Sequence, residues 1–306
     1  MTQDAWRARE ASSQLVDSAP ALLTAAPARL APRTYRVVPT GGAAPAAVYA
    51  AGGRAPGRLL LESAAPRPPL GRYSFVTGAP VLYLWHRAGR TFLQVAGRPA
   101  VWAWVGDPFV VLQALAARYA EAPGPAPTPF PAGLAGYLGY SLRRWIEPGP
   151  VRLPARPGLP DCWLGLYDST CTFDHAAGTA TLSGPADGAA LDRWVRALER
   201  AAHGGPAPPP PAPVAAATVG RTFGPAGYQT AVETVQAAIR AGSVYQVNVS
   251  QRFVVPCADP GWTIYNRLRA ANPAPFAAYL ALPGASVISA SPERFLRVTG
   301  TQVETR

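Results

Sequence analysis

Four hydrogen-bonding side chains, Gln246, Asn248, Ser250 and Arg252, recur at every second position of residues 244–255, alternating with Tyr245, Val247, Val249 and Phe253. On a β-strand that spacing collects all four on one face. Such a face binds either water or a polar ligand, and since antiparallel sheets often wet one side, both readings stand on the residues alone. Glu293 lies in Ser291-Pro292-Glu293-Arg294-Phe295, where the proline directs the chain at a strand break. A carboxyl held at the end of a sheet could protonate a leaving hydroxyl if burial raised its pKa. The structural alternative is a turn glutamate paired with Arg294. Gly136-Tyr137-Leu138-Gly139-Tyr140 matches neither a dinucleotide fingerprint nor a P-loop. Its glycines suit close backbone packing, with the two tyrosines in the core.

These residues need elements to hold them. Residues 1–30 carry Ala and Ser without a sustained period and are expected to form a flexible leader. Residues 35–105 alternate short apolar runs with Gly and Pro breaks, a β pattern in which Trp102 and Trp104 share a strand face. Leu59 to Ser63 reads as a buried strand with a polar end. A helix is predicted over 108–119, a proline-rich loop over 122–131, and a strand pair over 163–174 and 179–183. Leu191, Trp194, Val195 and Leu198 have helical spacing. The proline-rich stretch 204–217 can support only an extended linker or surface loop. Beyond it, Tyr228, Val232, Val235 and Ile239 stripe a helix that ends at Gly242, and a strand is predicted over 244–255. Asp259-Pro260 opens a further helix with Trp262, Tyr265 and Leu268 facing inward. Short strands follow over 276–282, 287–289, 295–298 and 302–305.

The totals exclude several classes. At 306 residues the chain is long enough for a large core or two domains, and 49% hydrophobic with 15% charged residues suits a globular fold. The net charge of +11 rests on scattered arginines, with no lysine anywhere, whereas nucleic-acid binding needs a patch. Cys162, Cys171 and Cys257 lack C-x-x-C spacing and the three histidines lie far apart, which disfavours zinc. Few cysteines fit a reducing cytoplasm, and neither a signal-type apolar run nor a membrane-span length is present.

Taken jointly, the motifs are more specific than any one of them. Leu59-Leu60-Leu61-Glu62-Ser63, Gly71-Arg72-Tyr73-Ser74-Phe75, Gly133 to Tyr140, Leu164-Gly165-Leu166-Tyr167-Asp168, Tyr245-Gln246-Val247-Asn248-Val249-Ser250, Asn272-Pro273-Ala274-Pro275-Phe276 and Ser291-Pro292-Glu293-Arg294-Phe295 follow in order. In order and spacing the chain resembles the component I family of chorismate-utilising enzymes, anthranilate synthase and aminodeoxychorismate synthase, from about residue 50 to 306.

The resemblance implies an α+β fold of large antiparallel sheets packed face to face with outer helices, incomplete at the C-terminus and leaving an exposed edge near 289–305. It divides the chain into a leader (1–30), a β-rich component I region (31–203), a Pro/Ala-rich linker (204–222) and the first part of a chorismate-binding catalytic region (223–306). It implies amination of chorismate to 4-amino-4-deoxychorismate, toward para-aminobenzoate and folate, with ammonia from a glutamine amidotransferase subunit. Asn248 leans toward that branch, and anthranilate synthase is the alternative product class. A tryptophan-binding scaffold without catalysis is the non-enzymatic alternative. Glu293 matches the family's acid–base glutamate, while Gln246, Asn248, Ser250 and Arg252 would line the substrate cavity. Ser63, Pro275, Phe276 and Ala277 match a tryptophan pocket, although Phe276 and Ala277 depart from the Tyr and Met common in the anthranilate branch. Magnesium is implied with its ligands beyond Arg306, so residues 1–306 alone are expected to be inactive.

Overall fold

The computed structural model describes residues 2–53, 55–65, 70–120, 127–147, 149, 158–204 and 219–305. They fall into two compact units, one within 1–208 together with 261–306, the other within 209–260. In the first unit two sheets are formed among the described residues. The six-stranded sheet runs Gln14–Leu15, Val101–Val105, Arg90–Val95, Leu82–Arg87, Cys162–Tyr167, Gly133–Leu138. The seven-stranded sheet runs Ala285–Ser291, Phe276–Leu282, Leu59–Glu62, Tyr73–Thr77, Thr170–Asp174, Thr179–Pro185, Arg33–Pro39. All pairings are antiparallel except that of Gln14–Leu15 with Val101–Val105.

The period of two decides which layer each side chain enters. In Leu82–Arg87, Leu82 and Leu84 pack under the helices Ala19–Thr24 and Pro108–Tyr119, while Trp85 turns to the other sheet. In Phe276–Leu282, Leu280 and Leu282 meet Trp85, Phe92 and Trp163 between the sheets, and Ala277, Tyr279 and Ala281 face the helices Pro45–Ala51 and Ala189–Ala202. The result is two sheets face to face, each covered outside by helices, the expected α+β arrangement. Trp102 and Trp104 share one face, both against the outer helices of the six-stranded sheet.

Local signals account for the helices. Asp107 accepts the Phe109 N–H at 2.9 Å ahead of Pro108, and the expected 108–119 helix forms with those bounds. Gly136 sits opposite Leu164, where a Cβ would strike the Trp163 carbonyl, so the close-packing expectation holds there. Of the two tyrosines, Tyr137 is half-buried and donates to the Pro160 carbonyl at 2.8 Å, but Tyr140 is exposed rather than in the core.

Three other expectations are corrected. Residues 2–24 are not a loose leader: Thr2–Ala11 is helical with Trp6 fully buried against Trp85, and Leu22 and Leu23 are buried too. The single strand expected over 163–174 breaks at Asp168-Ser169, where the chain leaves one sheet for the other. The strand expected over 244–255 is reduced to Phe253–Val254, which pairs with Gly220–Arg221. Period-two alternation is present there, yet residues 244–252 have no partner strand among the described residues, and a strand without a ladder is not formed. The helix Pro225–Arg240 of that unit has no fully buried residue, so its apolar stripe stays open within the unit. The loop expected over 122–131 lies outside the described residues up to 126, as does the linker stretch over 205–218. No helix among the described residues is long and apolar enough to cross a membrane.

Burial also sets an acid response. His86 lies opposite Cys162, with Nδ1 2.9 Å from the Thr91 hydroxyl and the ring edge-on to Trp145. Desolvation holds its pKa down at about 4, against the opposing pull of Asp161. The unfolded chain therefore takes up a proton near pH 6.5 that the folded chain refuses, and stability falls as pH drops from 6.5 toward 4. Thermal melts at pH 7 and 4.5 are expected to show a smaller acid-induced drop in His86→Gln than in the wild type.

Candidate functional site

Strand register brings the candidate pocket together. Ala277 lies directly across from Glu62, so Ser63, just past the end of Leu59–Glu62, meets Pro275 just before Phe276–Leu282. The Ser63 hydroxyl donates to the Pro275 carbonyl at 2.8 Å and to that of Tyr73 at 3.2 Å. Its backbone N–H donates to the Ser74 hydroxyl, which lies 2.7 Å from His175 Nε2. All four expected pocket residues, Ser63, Pro275, Phe276 and Ala277, line one cavity of about 730 Å³, within the range of small-ligand sites. Glu62, Arg72, Tyr73, Phe75, Arg294 and Arg297 complete much of its wall.

Glu62 is the most constrained group there. Its side chain is 1% exposed, and its oxygens accept from Arg269 Nη2 at 2.7 Å, Arg269 Nε at 2.8 Å and the Tyr265 hydroxyl at 2.6 Å. Burial, reinforced by the Glu62 charge, pushes the Tyr265 pKa far up and keeps it a proton donor. The helix Gly261–Ala271 positions both partners, one turn apart at i and i+4. Sequence reasoning placed Tyr265 inward but missed Arg269; the i, i+4 spacing was the available signal, and nothing local named a partner some 200 residues away. On the far side, Arg72 grips Asp174 through two N–H groups, which lowers the Asp174 pKa chiefly by hydrogen bonding.

Glu293 sits beyond the strand Ala285–Ser291, exposed rather than buried, so the burial expected of it is absent. Its backbone is fixed by the Ser291 hydroxyl, which donates to the Glu293 carbonyl at 3.1 Å. Arg294 turns away to Glu304 at 3.0 Å, so the expected turn pair of Glu293 with Arg294 does not form. Among the described residues the Glu293 carboxylate makes no hydrogen bond or ion pair. Gln246, Asn248, Ser250 and Arg252 belong to the unit 209–260, where Asn248, Ser250 and Arg252 are largely exposed on non-strand backbone around the Phe253–Val254 pairing. The apolar side chains of the hairpin Arg297–Thr299 and Gln302–Glu304 are also open: Val298 is 65% and Val303 66% exposed.

Among the described residues no three His, Cys, Asp or Glu side chains gather where they could hold a metal ion. Glu62 and Asp174 are each engaged by an arginine, and the magnesium that the resemblance implies has its expected ligands beyond Arg306.

Comparison with known proteins fits this geometry. The family model for chorismate binding enzymes matches residues 80–306. Aminodeoxychorismate synthase component 1 of Salmonella typhimurium is 33% identical over 253 residues, covering 82% of this chain and 54% of that protein. Anthranilate synthase component 1 of Streptomyces coelicolor is 34% identical over 265 residues, covering 81% and 48%. The crystal structure of anthranilate synthase component I from Streptococcus pneumoniae shares the fold, with a TM-score of 0.58 at 24% identity over 76% of this chain and 53% of that one. The chain spans about half the length of the curated relatives it matches. With more than half of its residues matched by the family model and the expected two-sheet architecture in place, the chain belongs to the family of chorismate binding enzymes.

Proposed function

We propose that the chain forms part of component I of an aminodeoxychorismate synthase, which as a whole aminates chorismate to 4-amino-4-deoxychorismate with ammonia from a glutamine amidotransferase partner. The observation that carries this reading is the contrast between two carboxylates of one unit. Glu62 is locked by three donors, the Tyr265 hydroxyl and two N–H groups of Arg269. Among the described residues Glu293 is held only through its backbone, which leaves its carboxylate open to a substrate. Replacing a hydroxyl by ammonia requires a proton for the departing oxygen and a base for the incoming nitrogen, and one unengaged carboxyl can serve both in turn.

The motif Tyr245-Gln246-Val247-Asn248 supports the aminodeoxychorismate branch. The comparable identity to an anthranilate synthase component makes anthranilate the second product to look for. Chorismate incubated with ammonium, magnesium and the complete open reading frame that encodes these residues should yield 4-amino-4-deoxychorismate by chromatography. Anthranilate instead would overturn the branch, and unconsumed chorismate would overturn the amination reading itself.

A further inference from the structure

A second cavity, of about 350 Å³, shares only Glu62 and Ser63 with the one described above, and none of Pro275, Phe276 and Ala277 reaches it. Its own wall comes from the turn ahead of the helix Pro45–Ala51, from the end of the strand Thr170–Asp174, and from Arg269 of the helix Gly261–Ala271.

Both carboxylates on that wall are saturated. Glu62 accepts from Arg269 and Tyr265, and Asp174 accepts from Arg72 and from the Ala176 and Ala177 N–H groups. The donors are not. Arg269 engages Glu62 through Nε and Nη2, and its Nη1 has no partner among the described residues. His175 meets the Ser74 hydroxyl through Nε2 at 2.7 Å. Ser74 already accepts from the Ser63 N–H, so its own proton points to Nε2 and the imidazole proton belongs on Nδ1. Nδ1 is likewise without a partner among the described residues. Two half-buried donors with no acceptor suit a ligand that only accepts.

Charge narrows the choice of acceptor. Glu62 with Arg269 and Asp174 with Arg72 are balanced pairs, so beside a neutral imidazole these groups carry no net charge. Burial lowers the His175 pKa, against the pull of Glu62 and Asp174, and the ring is neutral at pH 7. An anion between Nδ1 and Nη1 reverses this by favouring the imidazolium, whose hydrogen bond to it is charge-assisted. The Phe173 ring, stacked on His175 at 6.4 Å, holds the imidazole in place.

We propose that this cavity binds a small oxyanion between His175 Nδ1 and Arg269 Nη1, and that the ion enters together with a proton. The proposal rests neither on the amination reading nor on a ligand of the Ser63–Pro275 pocket, so each can fail separately.

Sulfate is the first probe, because its charge is constant over the neutral range. By calorimetry with the 306-residue chain, with chloride holding the ionic strength, sulfate should bind several-fold more tightly at pH 6 than at pH 8, as binding that raises a pKa requires. Acetate is the second probe, and the tighter of the two names the headgroup. His175→Gln keeps an acceptor for Ser74 but takes up no proton; it should weaken the tighter probe about ten-fold at pH 6 and abolish the pH dependence. Ala44→Asp puts a carboxylate on the wall and supplies the side-chain cap that the helix Pro45–Ala51 lacks, so it should abolish binding without lowering the thermal midpoint. Neither probe binding at millimolar concentration, a pH-independent wild-type affinity, or undiminished affinity in Ala44→Asp would each overturn the proposal. Should His175→Gln fail to fold, the wild-type pH profile and Ala44→Asp decide it.

Discussion

Glu62→Ala is expected to lose about 3–5 kcal/mol of folding stability, because it removes one partner of a buried ion pair and leaves the other uncompensated. Arg269 would keep its charge on the half-buried face of Gly261–Ala271, and the Tyr265 hydroxyl, on a fully buried residue, would lose its acceptor. For a chain of this size that corresponds to a fall of about 5–8 °C in the thermal midpoint. The double variant Glu62→Leu with Arg269→Met should recover much of the loss, since a buried pair replaced by apolar side chains of similar volume is often neutral. Urea unfolding of the two variants checks both statements. A Glu62→Ala loss below about 1 kcal/mol would mean that the pair contributes no more than a surface contact.

The second large effect falls on turnover rather than stability. Glu293→Gln keeps the shape of the side chain but removes the proton it can exchange, and the exposed position asks nothing of the charge for folding. Chorismate amination by the complete open reading frame should drop by about 10²- to 10⁴-fold, the usual contribution of a general acid–base group. The melting curve should be unmoved. A variant that retains more than a tenth of wild-type turnover would remove Glu293 from the chemistry. The pair of experiments separates two glutamates of one unit: one whose loss is read in unfolding curves, and one whose loss is read only in rate.

How far the residues alone could lead differs between elements for physical reasons. The helix Pro108–Tyr119 was legible to the residue because Asp107 and Pro108 form its start locally. The change of sheet at Asp168-Ser169 was not, since both flanking strands are apolar and alternation does not say which sheet a strand joins. Trp6 escaped notice because one buried indole, not a periodic face, anchors its helix. At 244–255 the pattern was real but insufficient, for a ladder needs a second strand. The pocket residues Ser63, Pro275, Phe276 and Ala277 were identified through motifs 200 residues apart, and the register of Leu59–Glu62 on Phe276–Leu282 explains why they act as one group. Their charged surroundings, Arg269, Arg294, Arg297 and Glu304, are set by tertiary pairing and left no local mark.

That same register has a consequence for biosynthesis. The strand Leu59–Glu62 pairs with Tyr73–Thr77 on one side and with Phe276–Leu282 on the other. Its second neighbour emerges from the ribosome about 220 residues after it, which at 5–20 residues per second is roughly 10 to 45 seconds. During that interval Leu59, Leu60 and Leu61 border an open edge, the kind of template on which nascent chains associate wrongly. The late arrival of a central strand thus makes the growing polypeptide a client for chaperones that shield unpaired β-structure, and slow translation should lower its soluble yield.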